Sequence, residues 1–350
     1  MKVRLVNIPH SEVEADAEAH LTRADSDNTT NRRFNTSFHT ALDAPDLPAR
    51  PPEAPYSFKR WLPLILCSRG LPPSSAQVVS LTLSQARLLL RVSEASILIR
   101  RLNRIYLEEL EEYIVPAFAS LTFPPEGLFM RLDACSAKDG QQKIPGSRAL
   151  RSVDQILLLL LTSQRARNAL AHALDDVKEG RGGDKAFELF FTPFSPRMQS
   201  DREYRVFCPP FHPAESLRVT AISQYRWHKP WLFASSSEEE RQRAVERIVR
   251  GVETIARQIA KDVVAGDEID ELLMRQGLSF DVSFDEEQDR VELIELNVFG
   301  ASSACGSCLF HWIRDRETLE SRGGSEELEF RVTYHEPAQG LEAVRDAEET

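Results

Sequence analysis

The chain has 350 residues, of which 42% are hydrophobic and 28% charged, enough for one large or two modest domains with a full core. Its formal net charge of −11 lacks the broad basic footprint that phosphate backbones select for, so nucleic acid is not expected as a partner. Five scattered cysteines argue against a disulfide framework, and neither the N-terminus nor the longest apolar run, 156–161, suits a signal peptide or a membrane span, so no membrane is expected and the cytoplasm is the expected compartment.

Residues 1–55 read as a disordered extension, rich in Asp, Glu, Asn, Ser, Thr and Pro and ending in the linker-like Pro48-Ala49-Arg50-Pro51-Pro52. The opening MKVRLVNI is the one strand-like stretch in it. From 84 to 114 the spacing of Leu88, Leu89, Val92, Ile97, Ile99, Leu102 and Ile105 predicts a long helix. Residues 126–132 read as a strand leading into a loop over 133–146. Ser152 caps a helix to 161, and a second helix runs to about 177. After a glycine-rich break at 180–183 come strands at 187–191, 204–208 and 217–222. Val245, Ile248, Val252, Ile255 and Ile259 mark a strongly amphipathic helix over 238–264. Strands at 278–284 and 291–298 form a hairpin, a last strand covers 328–332, and 336–350 reads as an acidic tail.

The hairpin carries the chemistry. Strand alternation puts Ser279, Asp281 and Ser283 on one face and Leu278, Phe280, Val282 and Phe284 on the other. Glu295 and Asn297, two residues apart, also share a face. Two carboxylates and an amide oxygen suit magnesium, which takes a few hard oxygen ligands and completes its octahedron with water and phosphate. The competing reading is an ordinary solvated strand face. Against it, Glu295 and Asn297 sit in the apolar stretch IELNVF with no cation beside them in sequence. Upstream, Arg131 and Lys138 flank a strand-to-loop junction and suit either phosphate contact or exposed surface charge. Arg205 shares a strand face with Glu203 and Phe207, so it can clamp an anion or pair with Glu203 or another acid.

Four blocks in order, FMRLDACSAKDG, FELFF, REYRVF with AISQY, and SFDVSF with VELIELNVFG and LFHW, resemble the cell division cycle protein 123 family over roughly 56–335. The resemblance implies an α+β fold of the ATP-grasp type, two mixed lobes enclosing a nucleotide cleft. The implied division is a helical lead-in at 56–119, a smaller lobe at 120–185 and a larger lobe at 186–335. It implies ATP and Mg2+ as cofactors. Arg131 then stands for a phosphate-contacting lysine, with Asp133 and Lys138 in the same nucleotide-facing segment. Glu188 and the backbone around Phe190 fall at the adenine hinge, Arg205 takes a phosphate-side arginine position, and Asp281, Glu295 and Asn297 take the metal positions. The implied role is that of a monomeric assembly chaperone for translation initiation factor 2, acting on its γ subunit. The alternative is an ATP-grasp ligase or phosphotransferase for a carboxylate or peptide. Departures from the pattern are Arg131 for lysine, Thr192 where an arginine is usual, Glu295 for aspartate, Val298 for proline and Gly306 where an acid is common.

Outside these blocks, Cys305 and Cys308 form a lone C-x-x-C with His311 nearby but no fourth ligand in sequence. Tyr225, Trp227, His228 and Trp231 read as a packed aromatic cluster or a recognition surface.

Overall fold

Strand β1 (Lys2–Pro9) opens the chain and helix α1 (His10–Leu21) follows it directly, in a computed structural model that describes residues 2–21, 32–47, 52–144, 146–179, 187–212, 217–321 and 327–334. The disordered extension expected over 1–55 is therefore corrected for residues 2–21. The reason is non-local: β1 pairs in parallel, residue for residue, with a strand more than 300 positions later, Lys2 opposite Glu327 through Pro9 opposite Tyr334. An edge strand held by one distant neighbour shows little periodicity of its own, and α1 buries only Val13 and His10 among its described side chains. The linker-like stretch lies mostly outside the described residues.

The chain divides into two compact units, Ser57–Pro196 and the pairing of Met1–Tyr56 with Arg197–Thr350. In Ser57–Pro196, helix α2 (Phe58–Ser68) precedes β2 (Gln77–Leu81), and helix α3 (Leu83–Ile99) follows it. Thr82 and Gln85 form a reciprocal capping box at the start of α3. The single helix expected over 84–114 is broken. Arg100 turns left-handed with φ 53°, Asn103 caps a short 3-10 turn, and α4 (Leu107–Tyr113) starts anew. Of the apolar residues that extended the pattern beyond α3, Ile105 is exposed while Leu102 packs against the core. Strands β3 (Leu128–Leu132) and β4 (Phe187–Pro193) complete a three-stranded antiparallel sheet in the order β2-β4-β3. Between them, α5 (Val153–Leu161) and α6 (Gln164–Lys178) start on serine caps, Ser152 and Ser163. One sheet face, with Met130, Leu132, Leu189 and Phe191, packs on Leu89, Val92, Ile156, Leu160 and Leu170. The stretch expected as a helical lead-in thus contains an integral strand, β2. The break expected at 180–183 lies outside the described residues.

The other unit holds a six-stranded mixed sheet. Its later members are β5 (Glu203–Cys208), β6 (Ala221–Gln224), β7 (Leu278–Asp285), β8 (Arg290–Val298) and β9 (Glu327–Tyr334), in the order β1-β9-β6-β5-β7-β8. β6 starts later than the strand expected at 217–222 because residues 217–219 lack ladder pairing, while Thr220 donates to Phe207 O at 3.0 Å and accepts from Glu329 N at 3.2 Å. Helices α7 (Glu238–Asp262) and α8 (Glu268–Gln276) separate β6 from the hairpin, and α9 (Arg316–Glu320) lies before β9. α7 starts on a capping box of Ser237 and Glu240 and buries Val245, Ile248, Val252, Ile255 and Ile259, the expected stripe. The acidic tail, 336–350, lies outside the described residues. Among the described residues no helix is long and apolar enough to cross a membrane.

Gly251 sits mid-helix in α7, where glycine costs about 1 kcal/mol relative to alanine. Here the deficit is needed, because a Cβ would overlap the Val291 side chain on β8. Gly251→Ala should therefore destabilise the protein by about 1–3 kcal/mol, against the helix-propensity trend, read as a lower midpoint in chemical denaturation.

Candidate functional site

Strand pairing brings three of the expected residues into one row. Arg205 on β5 is directly opposite Asp281 on β7, and Asp281 is directly opposite Glu295 on β8. Register slips by one residue immediately after this row, where Val282 faces Leu293 and Ile294 is left as the extra residue of a β-bulge. Glu295 and Asn297 therefore share the face of Asp281, as alternation predicts.

The geometry within the row is tight. Arg205 donates from Nε to Asp281 Oδ1 at 2.8 Å and from Nη2 to Oδ2 at 2.7 Å, a two-pronged pair, and from Nη1 to the Gly306 carbonyl at 2.6 Å. Its guanidinium also lies over the Tyr225 ring, 5.1 Å from the centroid. Asn297 donates its amide to Asp281 Oδ2 at 3.3 Å, so its carbonyl oxygen is the atom it could offer a cation. Arg205 is 6% exposed and Asp281 1%. Of the two readings open for Arg205, anion clamp or ion pair, the structure shows a pair, and its acid is Asp281 rather than Glu203.

Burial pushes the Asp281 carboxyl pKa up; the Arg205 charge opposes the rise, and the hydrogen-bonded Glu295 carboxyl adds to it. Two carboxyls in contact beside one guanidinium carry an excess negative charge when both are ionised. A proton or a cation must balance it. Among the described residues, no group of three or more His, Cys, Asp or Glu side chains is gathered for a metal. The candidate set is two carboxylates and one amide. Cys305 and Cys308 are buried free thiols, and burial pushes the Cys308 thiol up to about 12.

The Ser57–Pro196 unit holds the rest. On the sheet face opposite the core, Arg131 is paired in register with Phe190, and strand alternation puts Glu188 and Thr192 on that face too. Phe58, at the start of α2, covers this face. Its ring is 4.8 Å from the Arg131 guanidinium carbon and meets Phe190 edge-on at 5.7 Å. Lys59 Nζ reaches both Glu188 oxygens at 2.9 and 2.7 Å. Asp133 accepts from Ser57 Oγ and from the Lys59 backbone, each at 2.8 Å, so it caps the start of α2. Lys138 is exposed on the loop after β3. Thr192 is 1% exposed, and its hydroxyl has no hydrogen-bond partner among the described residues. Sequence reading missed Lys59 and Phe58, and grouped Tyr225 with the nearby aromatic residues rather than with Arg205. A lysine at the start of an amphipathic helix carries no local sign of pairing with an acid 129 positions on.

These features define an α+β protein of two units, one built on a six-stranded mixed sheet with a buried Arg-Asp-Glu row and one on a three-stranded antiparallel sheet backed by helices. A sequence model of the D123 family matches residues 126–348, more than half of the chain, and the chain belongs to that family. The similarity to the cell division cycle protein 123 family noted in the sequence is thereby borne out. Among solved structures, Cdc123 from Schizosaccharomyces pombe superposes with a TM-score of 0.51 at 22% identity, covering 81% of this chain and 99% of that one. Its C-terminally truncated form gives 0.50 at 20% identity, again covering 81% and 99%. At these identities the likeness is one of fold. No curated protein sequence matches the chain.

Removing one member of the buried pair leaves the other uncompensated. Arg205→Met should cost about 3–5 kcal/mol of unfolding free energy, measured by denaturant titration at neutral pH.

Proposed function

We propose that this D123-family chain has an ATP-grasp fold, binds ATP with Mg2+, and works in the cytoplasm as an assembly chaperone for translation initiation factor 2, engaging its γ subunit. The observation that carries the reading is that Asp281, almost fully buried, and Glu295, half-buried, stand directly opposite each other on β7 and β8. A divalent cation satisfies that arrangement better than a trapped proton, because hard oxygen ligands suit magnesium and the positive charge offsets both acids. Asp281, Glu295 and Asn297 would hold the ion. Arg205 keeps the Asp281 carboxylate fixed in orientation, the work of a residue behind a ligand.

On the Ser57–Pro196 unit, Arg131 and Lys138 would meet phosphates, and Glu188 with the backbone around Phe190 would meet adenine. The unpartnered Thr192 hydroxyl on the Arg131 face is the observation that fits a polar ligand there. Asp133, by capping α2, sets the position of Phe58 and Lys59 against Arg131 and Glu188. Bound magnesium would supply charge neutralisation for a triphosphate, and the chain's own residues bind and orient. Membership of the D123 family supports the chaperone role.

Thermal unfolding with and without ATP and magnesium tests the nucleotide reading. Ligand present at 100 times its dissociation constant should stabilise the wild type by about 2.7 kcal/mol. Glu295→Gln keeps the side-chain volume while removing one charge, and should lose most of the magnesium-dependent part. A wild-type chain whose unfolding ignores ATP and magnesium would end the nucleotide reading. For the partner, purified γ subunit should be retained by the wild type in the presence of ATP and magnesium. Retention that is equal without nucleotide, or no retention at all, would remove the chaperone reading.

A further inference from the structure

The segment from Asn35 to His39 lies far outside the residues matched by the D123 family, 126–348. It runs along the loop that follows β8 and is bound to it at both ends. At one end, Asn35 N donates to Cys308 O at 2.7 Å, and Cys308 N donates back to Asn35 Oδ1 at 3.2 Å. Ser307 N donates to Thr36 O at 3.1 Å, Thr36 N to Ser307 Oγ at 2.9 Å, and Trp312 N to Thr36 Oγ1 at 3.1 Å. At the other end, Phe38 N donates to Ser303 O and His39 N to Ala301 O, both at 2.9 Å. Asn35 and Phe38 adopt left-handed backbone, with φ of 51° and 56°, which is uncommon for a residue as bulky as phenylalanine.

What the strap holds is the loop that meets Arg205. Gly306, between the two clamped ends, gives its carbonyl to Arg205 Nη1 at 2.6 Å, and the other two prongs of that guanidinium hold Asp281. Cys305 Sγ lies 3.1 Å from the hydroxyl of Ser279, two residues before Asp281. Gly306 has no room for a side chain, because a Cβ there would overlap Asn35 Oδ1. The contacts form one chain: Asn35 against Gly306 and Cys308, Gly306 against Arg205, Arg205 against Asp281.

We propose that Asn35 and the strap it begins are positioning elements of the metal site, setting the Gly306 carbonyl so that Arg205 presents Asp281 in one orientation. The inference rests on the magnesium reading for its purpose but not for its test. The N-terminal segment is then a working part of the site.

The test uses full-length chains carrying Gly306→Ala, Asn35→Gly, or both. The primary readout is on ligand-free protein: hydrogen exchange of the Arg205 Nε–H by nitrogen-15 NMR. Gly306→Ala, by forcing Asn35 against the new methyl, should speed that exchange about tenfold, as expected for a lost or stretched buried hydrogen bond. Adding Asn35→Gly, which removes the overlapping amide and tolerates the left-handed backbone, should return it to the level of Asn35→Gly alone, which loses the bond from Cys308 N and should exchange roughly threefold faster than wild type. ATP affinity with magnesium should follow the same order, while affinity without magnesium changes little. A merely structural strap would lower thermal stability without this rescue and without a magnesium-selective effect. The proposal is overturned if Gly306→Ala leaves the Arg205 Nε–H exchange at its wild-type rate, or if the double variant is no better than Gly306→Ala. Should Gly306→Ala not fold, Asn35→Gly alone decides, with unchanged exchange counting against the strap. A wild type that binds no ATP with magnesium sinks the nucleotide reading only, since the exchange measurement stands without ligand.

Discussion

The two-pronged pair between Arg205 and Asp281 is the constraint around which the larger unit is arranged. Both groups are almost fully excluded from water. Desolvating such charges costs several kcal/mol each, a large share of the 5–15 kcal/mol by which a domain is typically stable, so the pair is tolerable only in accurate register. Sheet topology supplies that register. β5 and β7 are central neighbours, and a slip of one residue would turn the whole polar row toward the opposite face. The opposite face is fixed by fully buried Phe280, Val282 and Val206, which leaves no alternative alignment. The bulge at Ile294 then interrupts the strict alternation next to Glu295.

A second consequence concerns charge. One guanidinium cannot neutralise two carboxyls, and their contact raises the proton affinity of Asp281 even with Arg205 in place. With Asp281 buried and Glu295 half-buried, that excess negative charge calls for a proton or a cation to balance it. The Asn297 amide, donating to the same Asp281 oxygen, has its carbonyl left for an electrophile. These are three separate features, a stressed acid pair, an oriented amide and a locked guanidinium, and each fits the cation site proposed above.

Features written into local sequence were legible; features made by distant contacts were not. The hairpin followed from the alternation of Phe280, Asp281 and Val282 and of Glu295, Leu296 and Asn297, because each strand has one apolar face and one polar face. α7 followed from its stripe and its Ser237–Glu240 cap. The co-facial placement of Asp281, Glu295 and Asn297 was likewise readable, since it depends only on a period of two and a short turn. By contrast, β1 gains its structure from β9 at the far end of the chain, and β2 from β4, over 100 residues on. Neither partner shows in a local window. The helix expected over 84–114 failed for a related reason: the apolar pattern runs on past Ile99, but the chain turns at Arg100 and resumes as α4, whose Leu110 returns to the same core while Ile105 is left in solvent. For Arg205, both an anion clamp and an ion pair suited the residue, and only the cross-strand register selects Asp281.

Gly306 joins two observations that look unrelated in the sequence. The absence of an acid at this position reads as the loss of a chemical group, and the long N-terminal stretch reads as an appendage. In the fold they are one arrangement, because the space beside Gly306 is filled by Asn35, whose side-chain oxygen and backbone amide both bind Cys308. A side chain at 306 and the Asn35 side chain in its present place exclude each other. A glycine at this point leaves the loop carbonyl free to meet Arg205 at 2.6 Å, while the strap restores the rigidity that glycine would otherwise remove from the loop. The N-terminal segment and the substitution at 306 therefore follow from a single requirement, to hold one carbonyl oxygen against one buried guanidinium.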